Sequence, residues 1–279
     1  MPQLPVSTED PVQKGRMQTS VPNLSNLERA SSLYFVIYDH EKPNTILACA
    51  ALNVVEPKAV TAKFNSTEIV GSIRLLQRTP YEPTEVSVNL RMLRPAYAYG
   101  VDVLPSIKRR RNEAKKCPNI KETIYNPFHI DPAWVPEPNM GTTDQYATGD
   151  LSGKYGNLSQ LREEVFDAFD FNLPLFGYYS VVGRAIVIYA PDGPAVACSN
   201  LDMEGRDLTT AYATFDVPLQ GQFIMRQATG ECHTDTYIYI EISRPEGAGV
   251  NKTLNHKWHV HEKAAPSSKN AFLGLKSVC

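Results

Sequence analysis

The chain has 279 residues, of which 42% are hydrophobic and 21% charged, and its formal net charge at pH 7 is −2. This composition predicts a globular protein with a sizeable core, and the near-neutral charge gives it no general attraction to nucleic acid or anionic membranes. The 21 prolines and 16 glycines lie between short β-rich runs, which is typical of an all-β sandwich or barrel. An apolar run of about 18 residues, as needed to span a membrane, does not occur in the sequence.

The first 30 residues carry neither an apolar segment nor a periodic pattern, so we predict a flexible lead-in and no signal peptide. Other features favour secretion. Four N-glycosylation sequons and cysteines at repeat-related positions are typical of an extracellular, disulfide-bonded glycoprotein. The candidate glycosylation sites are Asn23, Asn65, Asn157 and Asn251.

An internal repeat organises the chain. Residues 178–198 read as a buried strand, a loop and a second strand that ends in Ala-Cys, and residues 31–49 are an imperfect copy. Cys49 and Cys198 lie 149 residues apart, which is about the length of one domain. Further pairs recur at this offset or at 150, namely Thr61-Ala62 with Thr210-Ala211, Gly71 with Gly221, and Gln77 with Gln227.

The repeat predicts the domain organisation. Residues 31–52 are expected to be the closing strands of a preceding repeat, and residues 53–201 one complete domain. Residues 202–279 are expected to be the opening half of a following repeat. Neighbouring repeats of the same protein are therefore the first partners that we expect.

Alternating apolar residues predict the first strands of the complete domain. Residues 60–76 and 85–94 are expected to be strands joined by a turn at residues 79–83. Their counterparts in the following repeat are residues 211–226 and 236–244, where alternation is clearest.

One later segment fits two patterns. A helical stripe fits Leu158, Leu161, Val165 and Phe169. A strand-like alternation fits Phe169, Phe171, Leu173 and Leu175. We predict an irregular start from Gln160 and a strand from about Val165.

Several short motifs occur in a fixed order: Cys117, Tyr125-Asn126-Pro127, Thr148-Gly149-Asp150-Leu151, Gly156-Asn157, Val181-Val182-Gly183-Arg184, Ala197-Cys198 and Trp258-His259-Val260-His261-Glu262. Together they resemble the landmarks of the copper/zinc superoxide dismutase family. The tandem arrangement is most similar to the extracellular copper-only superoxide dismutase repeat proteins of animals.

The resemblance implies an eight-stranded antiparallel Greek-key barrel in each unit, with copper held by imidazoles. It also implies a disulfide between Cys117 and Cys198, and structural roles for Asp150, Gly183 and Arg184. Closing a loop of about 80 residues contributes about 4 kcal/mol in the chain-entropy model.

The copper ligands that the resemblance implies are missing from the complete domain. The His-x-His segment is matched by Val101-Asp102-Val103, and the two other copper histidines by Ile124 and Tyr189. Redox copper in this family needs several neutral imidazoles, so we predict an inactive domain without a cofactor. Ala147 replaces a zinc-type histidine and leaves Asp150 alone, and Ala195 replaces the anion-guiding arginine.

The remaining histidines offer one better candidate. His259 and His261 are two residues apart, so on a strand they share a face and form a candidate copper half-site. Their partners would lie outside this chain, and His40 is a weaker candidate. His129 is interpreted as a loop residue.

A basic run consists of Lys108, Arg109, Arg110 and Arg111. Three interpretations stay open: a processing site for a protease, a patch that binds polyanionic glycans, and a solvated loop. Because aromatic residues do not interleave the basic ones, a stacking platform for nucleic acid is disfavoured.

The sequence therefore predicts an extracellular repeat segment whose complete domain has a structural or interaction role. The alternative is a part of a copper-dependent superoxide dismutase, or a copper-binding protein, that uses His259 and His261. Cys49 and Cys279 are expected to belong to the incomplete end repeats, and Cys232 to be unpaired. The two end fragments are complementary and are candidates for docking within one chain or between two.

Overall fold

The computed structural model describes residues 34–39, 41–42, 44–51, 55–107, 117, 124–216, 219–230, 234–243, 258 and 260. Two compact units divide the chain, residues 1–56 and residues 57–279. Thirteen strands dominate the described residues, beside one five-residue α-helix, α1 (Leu151–Tyr155), and two short 3-10 turns. The predicted all-β fold class is confirmed.

The first unit contains the hairpin β1 (Tyr34–Tyr38) and β2 (Ile46–Ala51). The second unit contains β3 (Lys58–Asn65), β4 (Val70–Gln77), β5 (Thr84–Arg91), β6 (Ala98–Val101), β7 (Glu163–Asp170), β8 (Ala185–Tyr189), β9 (Ala195–Asn200), β10 (Asp202–Met203), β11 (Leu208–Phe215), β12 (Gln220–Ala228) and β13 (Tyr237–Ser243).

Strands β3 to β10 form a two-sheet domain. One sheet has the order β10-β3-β4-β5-β7 and the other the order β6-β8-β9, all antiparallel. The chain crosses between the sheets after β5, so that β5 pairs with β7 and β6 pairs with β8, as in a Greek key. Residues 53–201 contain seven of these strands, β3 to β9, and the eighth, β10, lies just beyond residue 201. The described pairings place the strands in two sheets.

The core lies between the two sheets. Val60, Ile73 and Val88 from the first sheet pack with Ile186 and Ile188 from the second, and each of these side chains is almost fully buried. Alternation explains this, because every second residue of a strand points to the same face. Residues of β3, β4 and β5 therefore bury one face and leave the other accessible.

The predicted single strand over residues 60–76 is wrong. This stretch forms two strands, β3 and β4, joined by a turn over residues 66–69 that begins at Ser66. The Ser66 hydroxyl accepts hydrogen bonds from the amides of Glu68, at 3.3 Å, and Ile69, at 2.9 Å. A side chain thus closes the turn without the Gly or Pro that usually marks one. Residues 211–226 likewise divide between β11 and β12.

Strand β7 begins two residues earlier than predicted, at Glu163. Val165 and Phe169 point outward and are both 61% exposed. The second half of the predicted helical stripe is therefore a strand face turned to solvent, whereas Leu158 is buried in the core before the strand begins.

The two hairpins of the sequence repeat have the same register. Val36 is opposite Cys49 in β1–β2, and Val187 is opposite Cys198 in β8–β9. Both hairpins also carry an irregularity before the last residue of their first strand. The two segments are therefore similar in structure as well as in sequence.

Strands β11 to β13 repeat the arrangement of β3 to β5. Gly71 and Gly221 both have a φ of 132°, and a Cβ atom at either would lie within 2.0 Å of a carbonyl oxygen of the next strand. The side-chain amide of Gln77 donates from Nε2 to the Glu82 carbonyl, and that of Gln227 donates from Nε2 to the Thr234 carbonyl.

The register also corrects one predicted pair. Phe64 is opposite Gly71, and Phe215 is opposite Gly221. Because the second connection is one residue shorter, Ala62 corresponds to Ala213. The predicted match of Thr61-Ala62 with Thr210-Ala211 is therefore wrong by two residues.

The three-stranded sheet packs on the two-sheet domain with one of its faces. Ile224 and Tyr239 from this face bury Leu104 of the domain. The Tyr239 hydroxyl donates to the Val182 carbonyl at 2.5 Å, and Arg226 donates from Nη1 to the Gly183 carbonyl at 2.8 Å. Arg226 Nη2 also lies 2.7 Å from Asp202 Oδ1.

Gly183 makes this close approach possible. Its φ of 76° lies in the left-handed region, and a Cβ atom there would lie 2.4 Å from the Tyr239 hydroxyl. Gly177 has the same φ, but a Cβ atom at that position would meet no atom within 4 Å. The two glycines therefore share the backbone requirement and differ in the contact.

Gly183→Ala is expected to lower the free energy of unfolding by more than Gly177→Ala does. The left-handed backbone costs about 1 kcal/mol at either position. Displacement of Tyr239 at Gly183 adds about 1–3 kcal/mol, because the hydroxyl clashes and its hydrogen bond is lost. Urea unfolding measures both variants. The difference between the two losses of unfolding free energy should become smaller when Tyr239 is also replaced by Phe. Equal losses in both glycine variants would contradict the contact between Gly183 and Tyr239.

Candidate metal centre

The structure brings together the main chain of three segments that the resemblance assigns to a metal centre. Val101 donates to the Gly149 carbonyl at 2.8 Å, Tyr125 donates to the Val101 carbonyl at 2.9 Å, and Gly149 donates to the Tyr125 carbonyl at 2.8 Å. Asp102 forms a further bridge with Ile124. The segments are therefore held by backbone hydrogen bonds.

The side chains at the predicted copper positions do not converge. Val101 is opposite Ile186, and both belong to the main core. Tyr189 packs with Ala185 and Val187 in a separate small cluster on the other face of the sheet. Val101 and Tyr189 therefore point to opposite faces.

Strand alternation corrects the predicted ligand positions. Asp102 donates its amide to the Ala185 carbonyl at 2.7 Å, and Ala185 shares a face with Tyr189. Asp102, one residue after Val101, is thus the position that shares the Tyr189 face. Asp102 is almost fully buried and accepts from the Leu104 amide at 2.9 Å. Because Asp102 is not a histidine, this position also lacks an imidazole ligand.

Arg184 connects three loops around this region. Its guanidinium lies 3.7 Å from the centre of the Tyr125 ring. It donates to the carbonyls of Val103 and Ser180. Burial lowers the pKa of Arg184, an effect that Tyr125, Tyr239 and Asp102 oppose. An arginine nevertheless stays charged, so its partners hold a fixed cation.

Asp150 caps the helix α1. Its Oδ1 accepts from the Gly153 amide at 2.8 Å. Burial raises the pKa of the Asp150 carboxyl, and the hydrogen bond from Gly153 opposes that rise. Within the described ranges, His, Cys, Asp and Glu side chains form no cluster of three that could hold a metal ion. A single carboxylate does not make a zinc site.

A buried ion pair beside Asp150 was missed by the sequence analysis. Lys154 Nζ lies 2.9 Å from Asp170 Oδ2, and both side chains have no exposed surface. Lys154 also donates to the carbonyls of Thr148, at 2.9 Å, and Asn172, at 3.0 Å. The Tyr155 hydroxyl donates to Asp170 at 2.8 Å. The only signal in the sequence is the alternation along β7, which places Asp170 on the inward face of the strand.

The disulfide that the resemblance implies is present. Cys117 and Cys198 are bonded across a sequence separation of 81 residues. The bond ties the long segment between β6 and α1 to strand β9. Cys49 is an exposed free thiol on β2. Cys232 and Cys279 lie outside the described residues.

Several other candidates also lie outside the described residues. They are His40, His259, His261, Asn23, Asn251 and the basic run Lys108, Arg109, Arg110 and Arg111. Asn65 and Asn157 are described and exposed. His129 lies in a loop with a φ of 54° and donates its amide to the Asn126 carbonyl. In the described part of the chain, no helix is both long and apolar enough to cross a membrane.

No family model and no curated protein matches this chain. A variant of superoxide dismutase 5 from Candida albicans is similar in structure, with 24% identity, a TM-score of 0.43, and coverage of 55% of this chain and 95% of that chain. The Cu(II) form of that protein has 25% identity, a TM-score of 0.41, and coverage of 55% and 97%. The clock protein EA4 has 20% identity, a TM-score of 0.36, and coverage of 52% and 92%.

Cys117→Ser is expected to lower the free energy of unfolding by about 4 kcal/mol, because the unfolded chain regains the freedom of a long loop. Cys49→Ser is the matched control and is expected to change stability by less than about 0.5 kcal/mol, since this thiol is exposed and free. Urea unfolding without reductant measures both variants. An equal effect of the two substitutions would contradict the bond.

Lys154→Met is expected to lower the free energy of unfolding by about 3–5 kcal/mol, because it leaves the Asp170 carboxylate buried without its cation. The double variant Lys154→Met with Asp170→Leu should recover most of this loss, since it removes both charges. Exposed Lys63→Met is the control. A double variant no more stable than the single one would contradict this account of the pair.

Proposed function

We propose that this chain is an extracellular, superoxide dismutase-like repeat segment whose complete domain, residues 53–201, has a structural or interaction role and no catalytic one. One observation carries the proposal. The resemblance gives the copper positions to Val101, Val103, Ile124 and Tyr189, and none of them supplies an imidazole. Asp102, which strand alternation places on the Tyr189 face, supplies none either. Redox copper needs several such ligands and an open position.

The resemblance rests on ordered motifs, and three structural features support it. These are the crossing of the chain between two antiparallel sheets, the Cys117–Cys198 disulfide, and the left-handed Gly183 beside the buried Arg184. A disulfide is typical of an oxidising compartment, and it supports secretion together with the exposed sequons at Asn65 and Asn157.

The repeat character is proposed on the basis of geometry as well as sequence. The hairpins β1–β2 and β8–β9 share register and irregularity. Gly71 and Gly221 share the same φ and the same neighbouring carbonyl. These features favour a tandem array of the kind found in the copper-only repeat proteins of animals, with neighbouring repeats as partners. Polyanionic glycans are further proposed partners of Lys108–Arg111.

A second candidate function is copper binding by His259 and His261. The two residues that alternate with them, Trp258 and Val260, are both exposed. Trp258 also contacts the ring of Phe223 on β12, at 5.2 Å between centroids. Trp258 is therefore next to the sheet β11–β13, and copper bound by His259 and His261 would need further ligands from outside this chain.

The full chain loaded with one equivalent of Cu(II) and then desalted is expected to dismutate superoxide no faster than buffer. If the chain keeps copper after desalting, the double variant His259→Ala with His261→Ala should not keep it. The matched control is Asp102→Ala, which should change neither copper content nor rate. Stopped-flow decay of superoxide and metal analysis measure both. Turnover that survives the double substitution and is lost with Asp102→Ala would overturn the proposal.

A further inference from the structure

The sheet β11–β13 has one apolar face on which Trp258 contacts Phe223, while its three isoleucines stay exposed. Phe223 is opposite Ile240 and Met225 is opposite Ile238, so these side chains and Ile242 share a face. Ile238, Ile240 and Ile242 are 37%, 49% and 38% exposed. The opposite face carries Ile224 and Tyr239 and is buried on the two-sheet domain. An apolar patch of this kind marks an interaction surface.

The repeat shows what such a face packs against. The register of β12 and β13 matches Ile238, Ile240 and Ile242 with Val86, Val88 and Leu90 of β5. These three β5 residues are at most 2% exposed. The second sheet covers them with Ile186, Ile188 and Ala197 of β8 and β9. A face of the same kind is thus a core in one repeat and a surface in the next.

The covering element also has a second copy in the chain. The register of β1 and β2 matches Phe35, Ile37 and Ala48 with Ile186, Ile188 and Ala197. Phe35 and Ile37 are 46% and 39% exposed, and Ala48 is exposed as well. The hairpin β1–β2 therefore carries the apolar set that covers the β5 face in the complete domain.

We propose that the apolar face of β11–β13 binds the β1–β2 hairpin of a second copy of this chain. The contact would rebuild, between two molecules, the sheet-on-sheet packing that β3–β5 and β8–β9 make within one. It joins unlike surfaces, so copies associate head to tail, either as an open chain or as a ring. The inference rests on the repeat part of the proposed function and is independent of its statement about copper.

Two charge-inserting variants test the contact on the full chain. Phe35→Lys alters only the hairpin, and Ile240→Lys alters only the sheet. Val165→Lys is the matched control, because Val165 is also an exposed apolar strand residue and lies on the outer face of β7. Far-UV circular dichroism and thermal unfolding check that each variant keeps its fold, which the exposure of all three positions favours.

Sedimentation equilibrium in chelator-treated buffer is the measurement. Wild type and Val165→Lys are expected to gain mass as concentration rises. Phe35→Lys alone and Ile240→Lys alone are each expected to self-associate at least 10-fold more weakly than wild type. An equimolar mixture of Phe35→Lys and Ile240→Lys should form a complex of two chains and nothing larger, because only one intact hairpin and one intact sheet can meet.

Other outcomes would overturn the inference. A monomeric wild type at all concentrations would mean that another segment, or none, covers the face. Loss of association in Ile240→Lys alone would indicate sheet against sheet. A mixture that stays monomeric would exclude the head-to-tail contact. Each of these results leaves the proposed loss of copper chemistry standing, because the buffer contains no free copper.

Discussion

The inner face of a β-sheet has to be covered, and most of this structure follows from that constraint. Strands β3 to β5 present valines, leucines and isoleucines on one face, and strands β8 and β9 cover them. Coverage fixes the register, because a shift of one residue would turn the apolar set to solvent. The same constraint acts on the end segments, whose apolar faces are accessible among the described residues.

Among the described residues, the two-sheet domain covers only one face of the three-stranded sheet. Its polar-aromatic face uses Tyr239 and Arg226 to reach the carbonyls of Val182 and Gly183. That contact is specific, since Gly183 leaves no room for a side chain. Its isoleucine face has the composition of a core. One face of the sheet is therefore packed on the two-sheet domain, and the isoleucines of the other face are exposed.

Buried polar contacts hold the region where a metal centre would be expected. Arg184 fixes the loops that carry Val103 and Tyr125, and Asp150 closes the first turn of α1. Lys154 and Asp170 neutralise one another without solvent. Buried polar groups of this kind are stable only when every partner is present. The domain therefore keeps its shape here by hydrogen bonds and ion pairing of its own side chains.

The sequence predicted the all-β fold class, because alternation of apolar residues along short segments is a direct signal of strands. Gly71 and Gly221 were paired correctly, whereas Thr61 was paired two residues away from its true match. The turn at Ser66 was missed because a hydroxyl closes it, without Gly or Pro. The ion pair of Lys154 was missed because a lysine in a short polar helix is usually solvated.

The ligand positions show a different limit. Motif order placed Val101 in the metal centre, but whether a side chain points inward depends on strand register, which spacing alone does not determine. The disulfide came from the resemblance, and the structure contains it. The histidine candidates, in contrast, lie outside the described residues, so they remain predictions.

A complete domain that is a scaffold without a metal centre should bind no copper ion in an ordered position. Anomalous scattering at the copper edge, from crystals of the full chain soaked in Cu(II), measures this. No anomalous peak is expected within about 3 Å of Asp102, Asp150 or Tyr189. A strong peak ligated by any two of these residues would show that the domain has kept a metal centre.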